Sequence, residues 1–116
     1  MLNLVRFRDR AEYADGREAT GADAYAAYGR ESAPVFRRVG GEIAWRGRPD
    51  NVLIGPADER WDLAFIARYP TAGAFLEMVT DPDYQRAVMH RRAAVLDSRL
   101  IRTAEVGEGD DDAFAG

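Results

Sequence analysis

The sequence predicts an α+β domain with the element order β-α-β-β-α-β. Three observations carry the prediction. The chain opens on a strand-like alternation at residues 1–8, and a second apolar strand reads WDLAFIARY at 61–69. Two helical stretches announce themselves by start signals, Thr20 with Asp23 and Asp81-Pro82. A short apolar segment, 99–103, then returns the chain to strand.

Each element has its own local reason. In residues 1–8, Leu2 and Leu4 occupy one face, and Asn3, Val5 and Phe7 the other. Apolar groups on both faces suit a central strand. Residues 9–20 are polar and contain Asp15-Gly16, a loop signal. A helix follows from about residue 21, with Tyr25, Tyr28, Ser32, Val35, Phe36 and Val39 near one stripe. Pro34 inside it predicts a kink or break, and Gly40-Gly41 ends it. Residues 42–48 read as an edge or half-buried strand with Ile43 and Trp45 on one face. Arg48-Pro49-Asp50-Asn51 is turn chemistry, and residues 52–54 read as a short strand stopped by Gly55-Pro56. The strand 61–69 is interrupted only by Asp62 and Arg68 and ends at Pro70. Thr71 caps a helix over 72–79, and Asp81-Pro82 starts another over 82–96. Asp97-Ser98 predicts a turn into the last strand. The domain is therefore 1–103, and 104–116 reads as an acidic disordered tail.

Composition narrows the function classes. The 116 residues form one domain, 47% hydrophobic, with no apolar run long enough to cross a membrane. The first residues lack a signal-peptide layout, since arginines interrupt the apolar run from position 6. Cysteine is absent, which removes disulfides, thiol nucleophiles and thiolate metal sites, and fits the cytoplasm. All 16 basic residues are arginine, so no lysine is present to form a Schiff base. The net charge of -4 belongs to the tail, where Glu105, Glu108, Asp110, Asp111 and Asp112 stand without a base. The body is close to neutral, which argues against a nucleic-acid partner.

Helices cover one face of such a sheet and leave the other bare. A second copy of the sheet is the economical cover, giving a homodimeric α/β barrel with an interior cavity. The chain also resembles domain-of-unknown-function family 1330, a group within the dimeric α/β-barrel, ferredoxin-like superfamily. The residues carrying the resemblance are Asn3-Leu4-Val5-Arg6-Phe7-Arg8, Gly40-Gly41, Ile54-Gly55-Pro56, Trp61-Asp62, Arg68-Tyr69-Pro70, Asp81-Pro82-Asp83-Tyr84, His90-Arg91 and Asp97-Ser98-Arg99-Leu100-Ile101. It implies a ferredoxin-like fold and a dimer, and it assigns no reaction. The superfamily includes cofactor-independent monooxygenases, isomerases, haem proteins and stress-responsive proteins, so function does not transfer with the fold.

Five residues are candidates for chemistry. His90 is the natural general acid or base, with Asp97 two helical turns on as its orienting carboxylate. Arg68, alone in an apolar strand, needs a carboxylate or a bound anion. Arg91 falls in the stripe of Tyr84, Val88 and Val95 and poses the same question. Asn3 interrupts an apolar strand face with a donor and an acceptor. Convergence of Arg68, Arg91 and His90 on the barrel interior would form a site for a small carboxylate or enolate. Structural ion pairs are the competing reading for both arginines. One histidine without cysteine argues against a zinc site, and no glycine-rich phosphate loop occurs. The expected function is thus binding of a small anionic or enolisable molecule. Isomerisation or oxygenation without metal or organic cofactor is one form; a non-catalytic ligand-binding or stress-related protein is the other.

Overall fold

The computed structural model describes residues 1–106. Its elements run β1 (Leu2–Phe7), α1 (Gly21–Arg38), β2 (Glu42–Gly47), β3 (Leu63–Arg68), α2 (Ala72–Thr80), α3 (Pro82–Ala94) and β4 (Val95–Ile101). The four strands form one antiparallel sheet in the order β2-β3-β1-β4, the ferredoxin-like arrangement. The apolar strands β1 and β3 take the centre.

The capping signals act as read. The Thr20 hydroxyl accepts from the Asp23 N–H, Thr71 from Ala74, and the Asp81 carboxylate from Asp83, with Pro82 opening α3. Helix α1 ends on Gly40 at φ +88°, and the Gly41 N–H bonds the Phe36 carbonyl. Pro34 does not break α1. The carbonyl four residues back belongs to exposed Arg30, where water can satisfy it, while buried Ser32 and Val35 anchor the flanking turn.

Two expectations fail on local pairing. Residues 52–54 form no strand: Leu53 and Ile54 are 87% and 96% exposed, and β2 already occupies the free edge of β3. Helix α3 ends at Ala94, two residues early, and Val95 goes straight into β4 without the Asp97-Ser98 turn. Pairing with β1 drives this. Val95 sits opposite Phe7 and Asp97 opposite Arg6, with a bulge between, and the Arg8 N–H bonds the Ala94 carbonyl.

Paired residues share a face, which fixes the layers. Val5, Phe7, Leu63 and Phe65 turn toward the helices and pack with Ala24 and Tyr25 of α1 and Ala94 of α3. A second cluster joins Val35 and Val39 of α1, Ala74 and Met78 of α2 and Tyr84 of α3. The opposite face carries Leu2, Leu4, Trp45, Ile66 and Ile101, which no element covers. Residues 104–106 have neither helix nor strand; 107–116, most of the expected tail, lie outside the described residues.

Candidate functional site

His90 lies on the face of α3 that carries buried Ala87, Ala93 and Ala94 and packs against α1. It is itself only 8% exposed, and both ring nitrogens are engaged. The Nε2 atom meets the Glu31 carboxylate of α1, and Nδ1 lies 2.6 Å from the Tyr13 hydroxyl. The Tyr13 ring meets the imidazole edge-on at 5.5 Å between centroids. Tyr13 belongs to the β1–α1 loop, which main-chain bonds pin to the end of α3: Glu12 N–H to the Ala93 carbonyl, and Ala11 N–H to Ala19 across the loop. Arg17 lies over the Tyr13 ring, 4.5 Å from its centre, and is itself forked onto Asp15. That guanidinium holds the Asp15 carboxyl down at about 2. The orienting carboxylate is therefore Glu31 and not Asp97. Because α3 stops at Ala94, Asp97 is not on the helix. It stands exposed on β4, accepting from Arg99 and from the Ser98 N–H.

Arg91, one residue on, is turned by about 100° and meets other company. Its guanidinium acts on Tyr25 and Tyr28 of α1, and it forms no ion pair among the described residues. Burial pushes the Tyr25 phenol up to about 12, with Arg91 pulling the other way. Burial, and the hydroxyl of Tyr84 at 2.8 Å, raise Tyr28 further. Tyr69, raised to about 12 by burial, completes the group with edge contacts to Phe36 and Phe75. An arginine thus stands among neutral phenols.

The remaining candidates go elsewhere. Arg68 is exposed on the open sheet face and bridges Glu42 at 3.1 Å and Glu105 at 3.2 Å, so it takes the structural reading. It is not buried, since position 68 ends its strand beside the β2 edge. Asn3 shares the helix-facing side with Val5, and its amide donates to the Met1 carbonyl at 3.1 Å. The expected convergence of Arg68, Arg91 and His90 is therefore absent. Two open grooves mark the surface. One, about 280 Å³, lies between α1 and α3 and takes in Glu31, Arg38 and Arg86. The other, about 250 Å³, lies on the open face by Arg6, Trp61, Asp97 and Arg99. No group of three His, Cys, Asp or Glu among the described residues is placed to hold a metal ion. Sequence reasoning missed Tyr13 and Glu31 as partners of His90.

A four-stranded antiparallel sheet, bare on one face and covered on the other by helices that hold a histidine–carboxylate contact between α1 and α3, defines a ferredoxin-like α+β protein. The chain belongs to the family described as domain of unknown function (DUF1330), which matches residues 14–104. It is similar to the crystal structure of methylated RPA0582 protein, with 60% identity over 93% of this chain and 80% of that one, at a TM-score of 0.91. It is also similar to RPA0582 from Rhodopseudomonas palustris, described as a protein of unknown function, with 59% identity over 91% of this chain and 80% of that one, at a TM-score of 0.88. No curated protein matches it. No helix among the described residues is long and apolar enough to cross a membrane.

Proposed function

We propose that the chain is a cytoplasmic, homodimeric small-molecule-binding protein of the α/β-barrel type, and that Arg91 holds a small organic anion. The observation that carries this is a half-buried arginine whose charge acts on the phenols of Tyr25 and Tyr28 and which has no carboxylate partner among the described residues. A cation in such surroundings is costly unless something of opposite charge reaches it. A carboxylate or enolate answers that need, with phenol hydroxyls available as further donors. The uncovered apolar row Leu2, Leu4, Trp45, Ile66 and Ile101 supports the dimer. Asn3, on the same side of the sheet as Val5, is the orienting candidate.

Catalysis on an enolisable anion is the second reading. Its support is the Glu31–His90–Tyr13 contact, which resembles the way a base is held by an orienting group. Native mass spectrometry of the purified protein, followed by calorimetric titration with acetoacetate, tests the main reading. Binding should vanish in Arg91→Met and persist in Arg68→Met. Equal binding by Arg91→Met and the parent would overturn it.

A further inference from the structure

The two hydrogen bonds on His90 have a direction. An ionised Glu31 can only accept, so Nε2 carries a hydrogen, and in the neutral imidazole Nδ1 then presents the lone pair. The Tyr13 hydroxyl is then the donor, and the chain runs from Tyr13 O–H to Nδ1 and from Nε2–H to Glu31. One residue comes from the β1–α1 loop, one from α1 and one from α3. An apolar side chain would fill position 90, among Ala87, Ala93 and Ala94, without ordering two partners. The outer end is wet, because Glu31 is half exposed and lines the groove between α1 and α3. The other end is half-buried, where Tyr13 packs against the cluster that contains Tyr25, the phenol on which Arg91 acts. The bonded chain thus links the groove to the cluster beside which Arg91 is proposed to hold an anion.

We infer that Tyr13 is the residue that exchanges a proton with the substrate, that His90 and Glu31 are its positioning partners, and that the substrate is a small carbonyl compound with an acidic C–H. The naming of the substrate rests on the Arg91 reading; the reactivity of Tyr13 does not. In the step, His90 Nδ1 takes the Tyr13 proton, and the imidazolium so formed is held by Glu31. The Tyr13 oxygen takes the proton from the carbon next to the carbonyl. The C–H electron pair moves onto the carbonyl oxygen as an enolate, whose charge Arg91 offsets. Return of the protons restores the chain, so no oxidant or cofactor enters.

A neutral probe, p-nitrophenyl acetate, tests Tyr13 without calling on Arg91. The Tyr13 oxygen attacks the acetyl carbonyl, its proton passes to Nδ1 and p-nitrophenolate leaves. Released phenolate is read by absorbance, and peptide mass mapping places the acetyl group. At neutral pH the parent should take up one acetyl group at Tyr13. Tyr13→Phe should take up none there. His90→Gln and Glu31→Gln should slow it at least tenfold, and in His90→Gln the rate should rise only where a free phenol ionises, near pH 10. Arg68→Met, on the open sheet face, should acetylate as the parent does, and because the ester probe is neutral, failure of the anion reading shows in acetoacetate binding alone. Acetylation confined to other residues, or an unchanged Tyr13 rate in Glu31→Gln, would sink the inference. The Glu31→Gln arm stands even where His90→Gln does not fold, since the Glu31 side chain is 54% exposed.

Discussion

Arg91→Met separates a ligand-holding arginine from a structural one. Methionine keeps much of the volume of the arginine stem, which shares the helical stripe of Tyr84 and Val88, so apolar packing is largely retained. Removing a member of a buried ion pair would strand its partner and cost about 3–5 kcal/mol. Arg91 has no such partner among the described residues. What is lost is its interaction with the Tyr25 hydroxyl, about 1 kcal/mol. Relief of the guanidinium's desolvation acts in the opposite direction. The net change should stay within about 1 kcal/mol, or roughly 4 °C in Tm for a domain of this size. Urea unfolding followed by tryptophan fluorescence measures it, with an unchanged m-value as the check that the same transition is compared. Phenolate absorbance gives a second readout. Arg91 pulls the Tyr25 phenol down, so its ionisation should move to still higher pH in the variant. A loss of 3 kcal/mol or more, or an unmoved phenol titration, would refute the account of Arg91.

The other predictions follow from particular contacts. Stability should fall between about pH 10 and 12: Tyr25 and Tyr69 are raised to about 12 in the fold, so unfolded phenols lose protons first, and the contribution present below pH 10 disappears as pH rises. For Tyr25 the two-unit gap is worth roughly 2.7 kcal/mol, measurable as a falling urea midpoint. Arg68→Met should cost under about 1 kcal/mol, because its bridges to Glu42 and Glu105 are exposed and screened; a greater loss in chemical unfolding would contradict its surface placement. Gly21→Ala should lower stability by more than about 2 kcal/mol, because the added methyl would collide with the Arg8 backbone carbonyl; a melting curve like the parent's would show that the loop yields. Light scattering at micromolar concentration should give twice the chain mass and Ile66→Glu about the single mass, whereas a monomeric parent would remove the sheet-to-sheet dimer.

The fold was legible wherever a local signal decides the backbone. Thr20, Thr71 and Asp81 are caps because a side-chain oxygen within three residues satisfies an orphan N–H, and no distant partner is needed. The misread ends are those where a distant strand decides. Val52-Leu53-Ile54 has the apolar content of a strand but no edge to join. Val95 and Leu96 continue the helical pattern in sequence, yet β1 lies alongside and recruits them into the sheet. Competition between helix and ladder is a tertiary contest that residue types alone do not settle.

The site was legible in part, for a related reason. His90 stood out as the single histidine, but its hydroxyl partner is 77 residues away, and no spacing rule links Tyr13 to it. Asp97 was the nearer carboxylate in sequence and the wrong one, because the i+7 relation requires a helix that ends at Ala94. One part of the geometry was available from the start. Successive residues on a helix point about 100° apart, so His90 and Arg91 leave α3 in different directions. Their surroundings bear this out: Glu31 and Tyr13 for one, Tyr25 and Tyr28 for the other. Chemistry that uses both is served by a side chain in contact with the two settings. Tyr13, bonded to His90 and packed on the cluster that contains Tyr25, makes contact with both.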